Sequence, residues 1–206
     1  MMNFLKKATF ILLFLFSNNM QALPATTSAK YALIVDFDTG NVLYEKDANS
    51  RVYPASMSKL MTLYILFEAL EDGIVSLDSE FYVSKKAWKK GGSKMFVEPE
   101  TKVKVIDLLK GIIVQSGNDA CIVVAEGLSG SEESFAELMN IKAKEIGLFE
   151  SNFENSTGWP NENHFMSVYD LATLSKRIIA DFPEFFHYFK EKEYSYNEIS
   201  QNNRNP

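Results

Sequence analysis

The sequence predicts an α+β domain in which helices pack on an antiparallel sheet. Three observations predict it. Two apolar runs between residues 31 and 44, separated by turn-forming residues, read as a β-hairpin. Nearly every later segment carries its apolar residues at helical rather than alternating spacing. The composition, 46% hydrophobic and 23% charged, is that of an ordinary globular domain, which excludes a disordered tail and a multi-pass membrane protein. A net charge of −6 argues against a nucleic-acid partner, which calls for a basic excess. The single cysteine, Cys121, cannot close an intramolecular disulfide and reads as a small buried apolar residue.

The amino terminus reads as an export address. Lys6 and Lys7 precede the short apolar run from Ala8 to Phe16, polar Ser17, Asn18 and Asn19 follow, and Ala22 offers a cleavage point. A membrane-spanning helix needs about 20 apolar residues, and this run is far shorter. The expectation is a signal peptide over residues 1–22 and a mature domain over 23–206, exported to the periplasm or another extracytoplasmic space.

The elements of the mature chain follow in order. Tyr31–Phe37 is rich in β-formers, Asp38-Thr39-Gly40-Asn41 is turn chemistry, and Val42-Leu43-Tyr44 resumes the apolar pattern. After Pro54, Leu60, Leu63, Tyr64, Phe67 and Leu70 form one face of a helix that Gly73 stops. Val105, Leu108, Leu109, Ile112 and Ile113 repeat that period. Asp119–Leu128 is almost wholly apolar and predicts a buried helix. Ser131, followed by Glu132 and Glu133, opens a helix that Gly147 closes. Ser167 to Asp170 has the form of a capping box, starting a helix with Leu171, Leu174 and Ile178 that ends before Pro183. Tyr194–Ile199 alternates weakly, as a strand would.

Several chemistries lack their residues. His164 and His187 are isolated from each other and from Cys121, so no metal-ligand spacing exists and no cofactor is called for. No glycine-rich phosphate loop and no Gly-x-Ser-x-Gly elbow occur. Lys85, Lys86, Lys89, Lys90 and Lys94 cluster around Trp88 and read as a solvated lysine face rather than an anion site.

Ser56-Met57-Ser58-Lys59 is different in kind. Serine and lysine three apart on a helix share a face. A lysine in a desolvated pocket can lose its proton and act as base for the hydroxyl, which supplies nucleophile and base without histidine. The spacing alone is weak, because chance supplies about one or two matches in a chain this rich in both residues, although only one occurs. Ser116-Gly117-Asn118 is a second candidate, a polar turn between two strongly apolar helical stretches.

Taken in order, these stretches resemble the low-molecular-mass penicillin-binding proteins, specifically the serine D-alanyl-D-alanine carboxypeptidases. The resemblance rests on residues 31–40, on Tyr53-Pro-Ala-Ser-Met-Ser-Lys-Leu-Met-Thr62, Gly92-Ser-Lys-Met-Phe96, Gln115-Ser-Gly-Asn-Asp-Ala-Cys121, Asn155-Ser-Thr-Gly158 and Asn203-Arg-Asn205. It implies a β-lactamase/transpeptidase-like fold, an antiparallel sheet flanked by helices. It also implies a substrate, the peptidoglycan stem peptide ending in D-Ala-D-Ala, with β-lactams as acylating mimics. On the matching positions Ser56 is the nucleophile, Lys59 its base, Ser116 a proton relay to the leaving amine, and Asn118 a holder of Lys59 and the substrate amide. Arg204 falls near the expected place of the substrate carboxylate, and a guanidinium suits that partner.

One motif of the family, Lys-Thr-Gly, is absent. The chain therefore reads as an amino-terminal part of a longer protein, lacking the carboxy-terminal sheet strands and the family's membrane anchor. Two alternatives stand beside the carboxypeptidase. One is a class A-like β-lactamase, for which Glu137 is the nearest deacylating carboxylate. The other is a non-catalytic penicillin- or peptidoglycan-binding fragment.

Overall fold

The computed structural model describes residues 26–204, so the predicted signal peptide lies outside the described residues. Elements run β1 (Ala32–Val35), β2 (Val42–Lys46), a one-turn 3-10 helix (Ala55–Ser58), α1 (Lys59–Glu71), β3 (Glu80–Tyr82), α2 (Lys85–Lys89), β4 (Lys102–Lys104), α3 (Val105–Gln115), α4 (Asn118–Ser129), α5 (Glu132–Glu145) and α6 (Val168–Asp181). A second 3-10 helix (Phe186–Lys190), β5 (Glu193–Tyr196) and β6 (Ile199–Asn202) follow. The α+β class holds. Among the described residues the strands form three separate two-stranded antiparallel ribbons: β1–β2, β3–β4 and β5–β6.

The core is helical and centred on α4. Ala120 to Ala125 are fully buried without interruption, as a helix apolar on every side must be. It packs against α1, α2, α3, α5 and β3. Helix α1 departs from the expected single apolar face. Met61, Leu63, Tyr64, Ile65, Leu66 and Phe67 are all buried, so it is enclosed nearly all round, between α4, α5 and α6. Each such side chain contributes about 1.5–3 kcal/mol through burial, which makes α1 a rigid mount for whatever its first turn carries.

The caps follow the sequence with one refinement. Ser131 Oγ accepts the Ser134 amide at the start of α5. Ser167 Oγ likewise accepts the Asp170 amide at the start of α6. The return half of that box is missing, because the Asp170 carboxylate instead accepts the Glu150 amide and the Ser151 hydroxyl at 2.8 and 2.7 Å. The expected strand at 194–199 is a hairpin. Asn197 and Glu198 both adopt positive φ, which folds β6 back on β5.

One irregular segment matters most for the site. Residues 152–166 are clamped at both ends by isolated bridges, Asn152 with Phe165 and Val52 with Met166. The second bridge ties this segment to the chain just before Ser56, through hydrogen bonds of 2.8 and 3.0 Å.

Candidate active site

Ser56 sits in the 3-10 turn that leads directly into α1, and Lys59 is the first residue of α1. This geometry does what the spacing predicts. Lys59 Nζ lies 2.9 Å from Ser56 Oγ. Ser56 is exposed and Lys59 is buried, so the hydroxyl faces solvent while the amine beneath it is dry. Ala55, just before Ser56, holds a left-handed φ of 48°, an uncommon conformation for a residue with a Cβ. Gly158 also has positive φ, and a Cβ there would collide with the Ala55 carbonyl oxygen. The glycine thus lets the 152–166 segment lie directly on the Ser56 turn.

The amine has a second partner that the motif does not name. Lys59 Nζ donates to the Thr157 carbonyl at 3.0 Å. Burial pushes the Lys59 pKa down from the usual lysine value, and the positive charges of Arg204 and Lys90 act in the same direction. Asp119 opposes them. The nearby Cys121 thiol is itself pushed up to about 12 by burial, so it stays neutral and matches the inert apolar role expected of it.

A histidine contact lies under the same turn. Ser58 Oγ is 2.8 Å from His164 Nε2, and both residues are buried. The Glu154 amide donates to His164 Nδ1 at 3.2 Å, which leaves Nε2 as the protonated nitrogen and donor to Ser58. Burial lowers the His164 pKa and keeps the ring neutral. His164 is isolated in sequence, and only its tertiary position makes it part of the site. A cavity of about 410 Å³ opens beside it, lined by Tyr53, Pro54, Ala55, Gly158, Trp159 and His164.

The second motif forms the turn between α3 and α4. Ser116 caps α3 in the left-handed region, φ 55° and ψ 40°, half-exposed and without a side-chain hydrogen bond among the described residues. Asn118 is buried, but its amide donates to the Gly91 carbonyl at 2.8 Å instead of to Lys59. The expectation that Asn118 holds Lys59 is therefore not met by a direct bond. Both hydrogen bonds of the amine go to Ser56 and Thr157. Asp119, the next residue, is the organiser here. Its buried carboxylate accepts the amides of Met95, Phe96 and Val97 at 2.9, 2.9 and 3.2 Å, together with that of Ala120. Arg204 is exposed, and its charge reaches Lys59.

The lysine cluster is not one solvated face. Lys86 pairs with Glu132 and Glu133 at 3.0 and 2.8 Å, and Lys85 with Glu100 at 3.3 Å. Lys94 Nζ donates to the Trp88 carbonyl, and Lys90 lies over the Trp159 ring at 4.3 Å. Glu132 and Glu133 of α5 hold Lys86, whereas Lys85 and Lys89 remain exposed as a solvated face would be. Glu137 is exposed and makes no ion pair or side-chain hydrogen bond among the described residues, so nothing places it at Ser56.

Known proteins resemble this chain over most of its length. A family model described as D-alanyl-D-alanine carboxypeptidase matches residues 18–206. The chain is 45% identical over 151 residues to the D-alanyl-D-alanine carboxypeptidase DacF of Bacillus subtilis, covering 73% of this chain and 39% of that protein. It is 40% identical over 186 residues to DacC of Escherichia coli, covering 87% of this chain and 46% of that one. Among solved structures, penicillin binding protein 5 from Haemophilus influenzae aligns with a TM-score of 0.86 at 36% identity, covering 88% of this chain and 54% of that chain. The chain thus spans less than half the length of these curated relatives.

Proposed function

Because the chain belongs to the D-alanyl-D-alanine carboxypeptidase family, we propose that it removes the terminal D-alanine from peptidoglycan stem peptides through an acyl-enzyme on Ser56. The observation that carries this reading is the Ser56–Lys59 pair: an exposed hydroxyl 2.9 Å from a buried amine whose pKa is depressed by burial.

The proposed reaction has two halves, acylation and deacylation. Neutral Lys59 takes the proton of Ser56 Oγ as that oxygen bonds to the carbonyl carbon of the penultimate D-alanine. The negative charge develops on the carbonyl oxygen, and the Ser56 backbone N–H supplies one donor of an oxyanion hole. The C–N bond then breaks. Its nitrogen takes a proton from Lys59, relayed by Ser116, and free D-alanine departs. Water repeats the sequence on the ester, with Lys59 again as base, and releases the shortened peptide. Arg204 is assigned to the substrate's terminal carboxylate, a partner that a guanidinium suits. A β-lactam enters by the same attack, its ring amide standing in for the D-Ala-D-Ala bond. The setting is cell-wall biogenesis outside the cytoplasm, in keeping with the export signature of residues 1–22. Among the described residues no helix is long and apolar enough to cross a membrane.

A fluorescent penicillin tests the nucleophile, and D-alanine release from a peptide ending in D-Ala-D-Ala tests the reaction. Covalent labelling and release that both vanish in Ser56→Ala support the proposal. Labelling that persists in Ser56→Ala overturns the assignment. Labelling without D-alanine release turns the reading toward a penicillin-binding fragment.

A further inference from the structure

The Thr157 carbonyl is the second acceptor of Lys59, and the residue just before it, Ser156, is held from two sides. From α1, Thr62 Oγ1 donates to the Ser156 carbonyl at 2.7 Å, one turn after Lys59. From α5, one oxygen of Glu132, Oε1, accepts both the Ser156 amide at 3.2 Å and the Ser156 hydroxyl at 2.9 Å. The other, Oε2, pairs with Lys86 of α2 at 3.0 Å. Glu132, Ser156, Thr157 and Thr62 are all buried. A buried carboxylate is costly to place unless its lone pairs are used, and here both hydrogen bonds to Oε1 come from one residue beside Thr157.

The acceptor matters because of the state in which Lys59 must act. A neutral amine has two N–H groups and one lone pair, and only the lone pair can take the Ser56 proton. Rotation about the Cε–Nζ bond would scatter it. We infer that Glu132 is a positioning residue for Lys59: it fixes Ser156, and through it the backbone that presents Thr157, so that the Thr157 carbonyl engages one N–H of the amine and the lone pair is left to face Ser56 Oγ. Glu132 touches no reacting atom and acts through two intervening residues. The inference rests on the proposed acyl transfer.

The test uses the purified protein and a fluorescent penicillin, with rapid mixing to separate the pre-covalent dissociation constant from the acylation rate constant. Glu132→Ala lowers the rate constant about 10²-fold, the scale of a misplacement near 1 Å, and leaves the dissociation constant unchanged. Glu132→Gln keeps an acceptor oxygen without the charge and stays within about threefold of wild type. Glu133→Gln, which alters only the exposed partner of Lys86, acylates normally. Wild-type acylation by Glu132→Ala overturns the inference, and so does a parallel fall in rate and affinity. An equal loss in Glu132→Gln also overturns it, because charge and not geometry would then be at work. Should Glu132→Ala fail to fold, Ser156→Ala removes the hydroxyl bond alone, and a rate equal to wild type there overturns the inference. A wild-type protein that neither labels nor releases D-alanine fails the proposed function itself, a result distinct from all of these.

Discussion

The two motif turns are built on opposite plans. At the first, the Ser56–Lys59 pair is over-determined. The amine is shared between Ser56 and Thr157, the hydroxyl of Ser58 is tied to His164, and Gly158 presses the neighbouring segment onto Ala55. At the second, the side chain of Ser116 is unanchored on a left-handed cap, while the residues after it are fixed. The difference suits the role proposed for each turn. A base and nucleophile gain from being preassembled, since alignment is where much of a rate enhancement arises. A relay serine must meet a leaving nitrogen that exists only late in the reaction, and a hydroxyl bonded elsewhere would have to break that bond first.

The largest effect is expected from breaking the first turn chemically. Lys59→Met keeps the length and bulk of the side chain and removes the base, and penicillin acylation falls at least about 10⁴-fold. A smaller loss would mean that another group can activate Ser56. Ser116→Ala comes next. D-Alanine release falls about 10³-fold, within the range of general acid–base catalysis, while the melting temperature stays within about 1 °C of wild type. A marked loss of stability would contradict the unanchored serine.

Gly158→Ala probes the first turn mechanically. The added Cβ meets the Ala55 carbonyl, so the segment moves off the nucleophile turn. Acylation falls about 10²-fold and stability by about 1–3 kcal/mol, read from the rate constant and from denaturant titration. The smallest effect belongs to Arg204. Its positive charge disfavours protonated Lys59 and so lowers the Lys59 pKa, and its removal raises that pKa. Since the neutral amine is the active form, Arg204→Gln moves the acid limb of kcat/KM to higher pH. Because the guanidinium is exposed, added salt shifts the wild-type limb the same way.

Much of this was legible in the residues. The apolar periods of α1 and α3 and the nearly unbroken apolar run of α4 placed the helices, and Ser131 and Ser167 placed two of their starts. The Ser-x-x-Lys spacing placed Ser56 and Lys59 side by side, because three residues make nearly one helical turn. What stayed hidden is long-range. Thr157 lies 98 residues from Lys59, and it acts through a backbone carbonyl that any residue could supply. His164 lies 106 residues from Ser58 and reads as solitary. Glu132 looked like first-turn decoration of α5, and Asn118 like a ligand of Lys59. No local pattern states that the first turns inward to Ser156 or that the second bonds to Gly91. The ribbons β3–β4 and β5–β6 were missed or half-read, since three- and four-residue strands carry too little alternation.

Asp119 links pieces of the chain that look independent. The loop of Met95 to Val97 has no ladder of its own at these amides, and its N–H groups end on a carboxylate rooted in the second residue of α4. Loop amides ordinarily exchange with solvent deuterium through small local openings. These three can do so only when the buried start of α4 gives way, so their exchange should follow the slow clock of the central helix.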